Sequence, residues 1–216
     1  QNNLCCMYRN GYGVTKDYKK AFEWCTKAAE QGNARGQCNL GIMYEYGEGV
    51  TQDYKKAVEW YTKSAEQGNA NGQNNIGYMY KNGYGVTKDY KKAVEWYTKA
   101  AEQGDARGQY NLGTMYENGT GVTKDNKKAV EWYTKAAEQG YANGQRNLGR
   151  MYEYGRGVTK DDKKAVEWFT KAAEQGHANG QSNLGVMYCT GKGVTKDDKK
   201  ALEWYTKAAE QGSAHG

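Results

Sequence analysis

The sequence predicts an all-α solenoid of six helical hairpins, each 36 residues long. Three observations lead there. The stretch GVTKDYKKAVEWYTKAAEQG, from Gly85 to Gly104, recurs with few changes, and its tryptophan returns at a fixed interval as Trp24, Trp60, Trp96, Trp132, Trp168 and Trp204. Within each copy the apolar residues keep helical spacing. A unit this short buries its apolar face only against its neighbours, as in a repeat array.

The repeats read as residues 1–36, 37–72, 73–108, 109–144, 145–180 and 181–216, forming one array. In the middle of the chain, a first helix (the A helix) is expected over Ala70–Asn82 and a second (the B helix) over Asp89–Glu102. Asp89 suits the N-cap, where its carboxylate meets free backbone N–H groups and the positive end of the helix dipole. Gly104 closes the B helix, and Gly83 and Gly85 fall in the loop from A to B. On the B helix Ala93, Val94, Trp96, Tyr97, Ala100 and Ala101 make an apolar arc opposite Lys91, Lys92, Glu95, Thr98, Lys99 and Glu102. On the A helix Gln73, Ile76, Met79 and Tyr80 face inward, and Gly77 lets another backbone approach. Six such repeats give twelve helices and no strand. The last B helix is expected from about Asp197 to Glu210. The chain opens inside a repeat without an initiating Met, and Trp204 and Tyr205 lack a following repeat. It therefore reads as a fragment of a longer chain, with further repeats or a cap beyond Gly216.

The net charge of +6 comes from lysines interleaved with acids at helical spacing, such as Glu95 and Lys99. That pattern describes a solvated face, whereas nucleic-acid binders gather their basic residues into a patch with stacking aromatics. No nucleic-acid partner is expected. Five cysteines without repeating partner spacing make no disulfide framework and favour a reducing, cytoplasmic compartment. Cys5 and Cys25 replace the glycine and tyrosine seen at Gly77 and Tyr97, so they are expected to face each other as buried thiols, with a disulfide available under oxidation. No apolar run approaches the roughly 20 residues of a membrane span, so direct membrane insertion is not expected. His177 sits at a turn position that is Asn33, Asn69, Asp105, Tyr141 or Ser213 elsewhere, and His215 at one that is Arg35 or Asn71, and both read as surface substitutions. The recurring acids read as caps and surface pairs, leaving no catalytic acid and base and no metal site. Each loop G-x-G follows a helix and lacks a third glycine, so no nucleotide cofactor is expected.

Function is read from internal variation. Most positions barely change between repeats, but one A-helix stripe does, as Asn2/Cys38/Asn74/Tyr110/Arg146/Ser182, Cys6/Ile42/Tyr78/Thr114/Arg150/Val186 and Arg9/Glu45/Lys81/Glu117/Glu153/Cys189. These positions are spaced i, i+4, i+7, opposite the constant Gln, Leu, Met and Tyr. The loop positions Glu48, Tyr84, Arg156 and Lys192 extend the stripe. The B-helix exterior is just as open to solvent yet hardly changes, so exposure alone does not explain the stripe. It is expected to bind a protein or peptide, with Tyr78, Tyr84 and Tyr110 as anchors, Glu45 and Glu48 as an acidic patch, and Arg146, Arg150, Arg156 and Lys192 as a basic one.

The repeats resemble the Sel1-like repeat family, through Leu112, Gly113, Met115 and Tyr116, then Gly119, Gly121 and Val122, then Asp125, Lys128, Ala129 and Trp132, then Lys135 to Gly140. The resemblance covers the whole chain and implies a right-handed α/α superhelical solenoid, related to tetratricopeptide arrays, with A helices lining a concave face. It also implies an adaptor or scaffold role. A second reading is a regulatory segment of a signalling enzyme. A third, β-lactam binding or hydrolysis as in the cysteine-rich branch, lacks that branch's paired cysteines, because Ala29, Ala65 and Ala101 stand at its first cysteine position. One departure from the family is systematic. Gly36, Gly72, Gly108, Gly144 and Gly180 replace its usual alanine, which is expected to weaken the A helices locally.

Overall fold

The computed structural model describes residues 1–213, so His215 lies outside the described residues. These form twelve α-helices and no strand: α1 (Asn2–Asn10), α2 (Tyr18–Glu30), α3 (Ala34–Tyr46), α4 (Tyr54–Glu66), α5 (Ala70–Asn82), α6 (Tyr90–Glu102), α7 (Ala106–Asn118), α8 (Asn126–Glu138), α9 (Ala142–Tyr154), α10 (Asp162–Glu174), α11 (Ala178–Thr190) and α12 (Asp198–Ser213). Odd-numbered elements are the A helices and even-numbered ones the B helices. The last B helix continues past the expected end at Glu210. The chain forms two compact units, Gln1–Gly108 and the residues from Gln109 onward.

The caps are those the sequence calls for. Asp89 precedes α6 in an extended conformation, and its carboxylate accepts from the Lys92 backbone N–H at 3.0 Å. Asn69 does the same for α5 through Gly72 N. At the other end Gly83 takes the left-handed conformation, φ 76°, and returns its N–H to the Met79 carbonyl. Capping of this kind replaces backbone bonds that a helix end leaves unmade.

Each hairpin after the first closes on a glycine-to-ring contact. Gly77 lies flat against Tyr97, where a Cβ would stand 2.8 Å from the ring carbons Cδ1 and Cε1. The first hairpin solves the same contact differently. Cys5 and Cys25, both fully buried, occupy the glycine and tyrosine positions and are joined as a disulfide with Cα atoms 5.1 Å apart. Their burial and proximity are as expected, and the odd cysteine count conceals one bonded pair beside free Cys6, Cys38 and Cys189.

Consecutive hairpins are tied by a buried glutamine. Gln73 Nε2 donates to the Ala65 carbonyl at 3.2 Å, while its Oε1 accepts from Gln103 Nε2 at 2.6 Å. One side chain thus joins α4, α5 and the end of α6. The arrangement recurs at Gln37, Gln145 and Gln181. The glycine at the start of each A helix belongs to the same junction. At Gly36 a Cβ would meet Ala28 Cβ at 2.7 Å, so the small residue permits the close packing of α3 on α2 and is not simply a weak point.

The lysine face is exposed, as its sequence pattern suggests, and several of its lysines also lie over aromatic rings. Lys99 Nζ lies 4.1 Å from the Trp96 ring centroid and Lys92 Nζ 5.3 Å from that of Tyr80, with equivalents along the chain. At such exposed positions a cation over a ring contributes about 0.5–1 kcal/mol. Among the described residues no helix is long and apolar enough to cross a membrane.

Candidate binding surface

In the first unit, α3 places Cys38, Ile42 and Glu45 on successive turns, and α5 does the same for Asn74, Tyr78 and Lys81. Between them opens a cavity of about 420 Å³. Ile42, Glu45, Tyr46, Tyr61, Asn74, Asn75 and Tyr78 line it together with Arg9 and Arg107. Tyr78 and Tyr84 are each 40% exposed, with ring centroids 5.9 Å apart, and Tyr84 stacks on Tyr54 at 5.2 Å.

Glu45 is buried, and its Oε2 accepts from the Tyr61 hydroxyl at 2.5 Å. Burial raises its pKa against the opposing hydrogen bonds from Tyr61 and Tyr46, and burial with the Glu45 charge raises that of Tyr61 much further. Glu48 accepts from Arg9 Nε at 2.6 Å. The acidic patch expected from Glu45 and Glu48 is therefore corrected: one acid is sequestered beneath the surface and the other is neutralised by Arg9. Cys38 is also buried, at 4% exposure, and burial pushes its thiol pKa up to about 12. Lys81 is half-buried, which lowers its pKa, and it has no ion pair among the described residues.

In the second unit Tyr110 is half-buried, 5.9 Å from the Tyr133 ring and 5.4 Å from that of Tyr141. Thr114 Oγ1 accepts from Tyr133 Oη at 3.2 Å, and Glu117 Oε2 accepts from the same hydroxyl at 2.7 Å. Glu117 also pairs with Arg156, 3.7 Å away. Arg146 donates through Nε to Asn183 at 3.2 Å and through Nη1 to Asn147 at 3.0 Å, and burial followed by the Arg150 charge lowers its pKa. Arg150 is half-buried, Glu153 is buried, and Arg156 and Lys192 are exposed. The tyrosine anchors are divided, with Tyr78 and Tyr84 in the first unit and Tyr110 in the second.

His177, read from the sequence as a surface substitution, is half-buried and has a structural task. Its Nδ1 accepts from Gly180 N at 3.0 Å, capping α11 as Asn33 and Asn69 cap α3 and α5, and Nε2 contacts Asn143 Oδ1 at 2.8 Å. No cluster of three or more metal-ligating side chains occurs among the described residues.

Residues 1–33, 34–69, 70–105, 106–141, 142–177 and 178–213 each match the Sel1 repeat family. The chain belongs to the Sel1 repeat family. It resembles the crystal structure of c5321, a protective antigen present in uropathogenic Escherichia coli strains, with 44% identity over 98% of this chain and a TM-score of 0.83. The chain spans 45% of the length of that protein. A Sel1 repeat protein from Oxalobacter formigenes is 37% identical over 96% of this chain and 83% of its own, with a TM-score of 0.88. Immunity protein Pa5087 from Pseudomonas aeruginosa, 23% identical over 97% of this chain and 82% of its own, shares the fold at a TM-score of 0.65. No curated protein sequence matches the chain. Sel1 repeat proteins are generally protein-interaction scaffolds, and the fold is generally non-catalytic.

Proposed function

We propose that this Sel1 repeat chain is a non-enzymatic scaffold that binds a protein or peptide along the variable stripe of its A helices. The observation that carries the reading is the first-unit cavity, in which the stripe residues Ile42, Glu45, Asn74 and Tyr78 converge around open space. These are positions where the repeats differ most, whereas the constant residues form the hairpin cores. Half-exposed tyrosine suits a contact hot spot, because it excludes water over a large area and keeps a polar tip. In the second unit Arg146, Arg150 and Lys192, with Arg156 partly offset by Glu117, favour an acidic stretch of the partner, an attraction that weakens with salt.

The test is selection of a phage-displayed random peptide library on the whole chain, followed by rebinding to Tyr78→Ala and Lys91→Ala variants. Enriched peptides should lose at least tenfold in affinity on Tyr78→Ala and little on Lys91→Ala. Peptides that bind both variants like the parent chain would place recognition elsewhere.

A further inference from the structure

Residues sixteen apart in the sequence pair the last stripe position of each A helix with the aromatic position of the B helix in the same hairpin. In the second repeat the pair is Glu45 and Tyr61, and in the fourth it is Glu117 and Tyr133. Both are joined by a hydroxyl-to-carboxylate hydrogen bond, of 2.5 Å and 2.7 Å. The fifth repeat dispenses with the hydroxyl, since Phe169 stands opposite Glu153. The third repeat keeps the hydroxyl but lacks the carboxylate. Lys81 stands where the acids stand, and the Tyr97 hydroxyl is buried with no hydrogen-bond partner among the described residues.

A buried hydroxyl without an acceptor is disfavoured, because it has given up water and gained nothing in return. Lys81 is likewise half-buried without an ion pair among the described residues, although this kind of group is seldom buried unless paired. Two donors, one cationic and one neutral, thus replace the acceptor-and-donor pair of the neighbouring repeats. Tyr78, one turn before Lys81, is 40% exposed and lines the first-unit cavity, which also holds the cations Arg9 and Arg107.

We propose that Lys81 and Tyr97 form a subsite for a carboxylate supplied by the bound partner, which takes the place that Glu45 and Glu117 fill within their own repeats. The inference rests on the peptide-binding reading and deepens it by naming the chemistry of one anchor. The carboxylate comes from an acidic side chain or from a chain terminus. It accepts from the Lys81 ammonium and the Tyr97 hydroxyl, a charge-assisted arrangement stronger than a neutral hydrogen bond.

The test follows the ring signals of Tyr97 by NMR in the whole chain, with tyrosine labelled. Three probes are titrated: N-acetylglutamic acid α-amide for a side-chain carboxylate, N-acetylglycine for a terminal one, and N-acetylglutamine amide as the uncharged control. One or both carboxylates should shift the Tyr97 signal saturably, and the one that binds identifies the source. Lys81→Met should weaken that binding at least tenfold. Lys81→Glu should abolish it and raise the melting temperature by about 2–4 °C, because the new carboxylate satisfies the hydroxyl internally. The proposal fails if neither carboxylate binds, if the amide control shifts the signal equally, if Lys81→Met leaves binding unchanged, or if Lys81→Glu does not raise the melting temperature. Should it fail while selected peptides still depend on Tyr78, the peptide-binding reading stands and only the carboxylate subsite is lost.

Discussion

Replacing Gly36 with alanine sets two effects of opposite sign against each other. Alanine is the better helix former by up to about 1 kcal/mol, and by less at the third residue of a helix, where fewer intrahelical bonds depend on it. Against this, the added Cβ would lie 2.7 Å from Ala28 Cβ and 3.1 Å from both the Ala28 carbonyl carbon and the Ala29 nitrogen. Those atoms belong to the last turn of α2 and cannot rotate away, so α2 and α3 must separate. Overpacking of this kind costs about 1–3 kcal/mol, and the net expectation is a loss of about 1–2 kcal/mol. The companion change Ala28→Gly removes the nearest of the three contacts, so the double variant should show a coupling of about 1 kcal/mol. Urea unfolding followed by circular dichroism at 222 nm, compared at unchanged slope, reads both quantities. A Gly36→Ala chain that is more stable than the parent, or a pair of changes that simply add, would refute the close-packing argument.

Other consequences concern titration and the disulfide. Burial raises the Glu45 pKa in the folded chain, so its favourable contribution is complete below the unfolded value and is lost as pH rises through the folded one. Glu45→Gln, which keeps an acceptor for Tyr61, should therefore raise the melting temperature at pH 7 by more than at pH 4, and an equal change at both would count against it. His177 has the reverse sign: burial, then Arg146, lowers its pKa below 6.5, so its stability contribution is full above that value and fades as pH falls through the lower folded one. His177→Asn, which supplies the cap used at Asn33 and Asn69, should flatten the thermal stability profile below pH 6.5, and an unchanged slope there would argue against the His177 cap. Reduction of the Cys5–Cys25 bond should cost the parent chain about 3 kcal/mol. The double change Cys5→Gly and Cys25→Tyr should restore the hairpin contact of the other repeats and make stability indifferent to reductant, as urea titrations with and without dithiothreitol would reveal.

The repeat, the helix bounds and the Asp and Gly caps were legible because each depends on local spacing and backbone chemistry. Ala70–Asn82 and the helix opened by Asp89 could be read from a single repeat. Contacts between repeats were less accessible. Gln73 was recognised as facing inward, but its bonds to Ala65 and Gln103 depend on how neighbouring hairpins meet. Gly36 looked like a weak helix residue for the same reason, since the Ala28 methyl that forbids a side chain comes from another helix. Charge was the least legible property of the candidate surface. Sequence spacing put Glu45 and Glu48 together as acids, whereas Tyr61 buries one and Arg9 neutralises the other. Lys81 was read only as one member of the variable stripe and Tyr97 only as part of an apolar arc, because pairing them depends on the contact that joins Glu45 to Tyr61 and Glu117 to Tyr133. The significance of the pair required knowing that the Tyr97 hydroxyl is buried without a hydrogen-bond partner among the described residues.

The account stands on the A-helix stripe being the surface that a partner touches, and site-specific photo-crosslinking tests this most directly. A photoreactive phenylalanine analogue is placed in turn at Tyr84 and Lys192 on the stripe and at Lys91 and Lys127 on the B-helix exterior. Each chain is then irradiated with a selected peptide, and the adducts are mapped by mass spectrometry. Adducts from at least one stripe position, and none from the B-helix positions, are the predicted result. Adducts that form from Lys91 or Lys127 while both stripe positions stay silent would contradict the account.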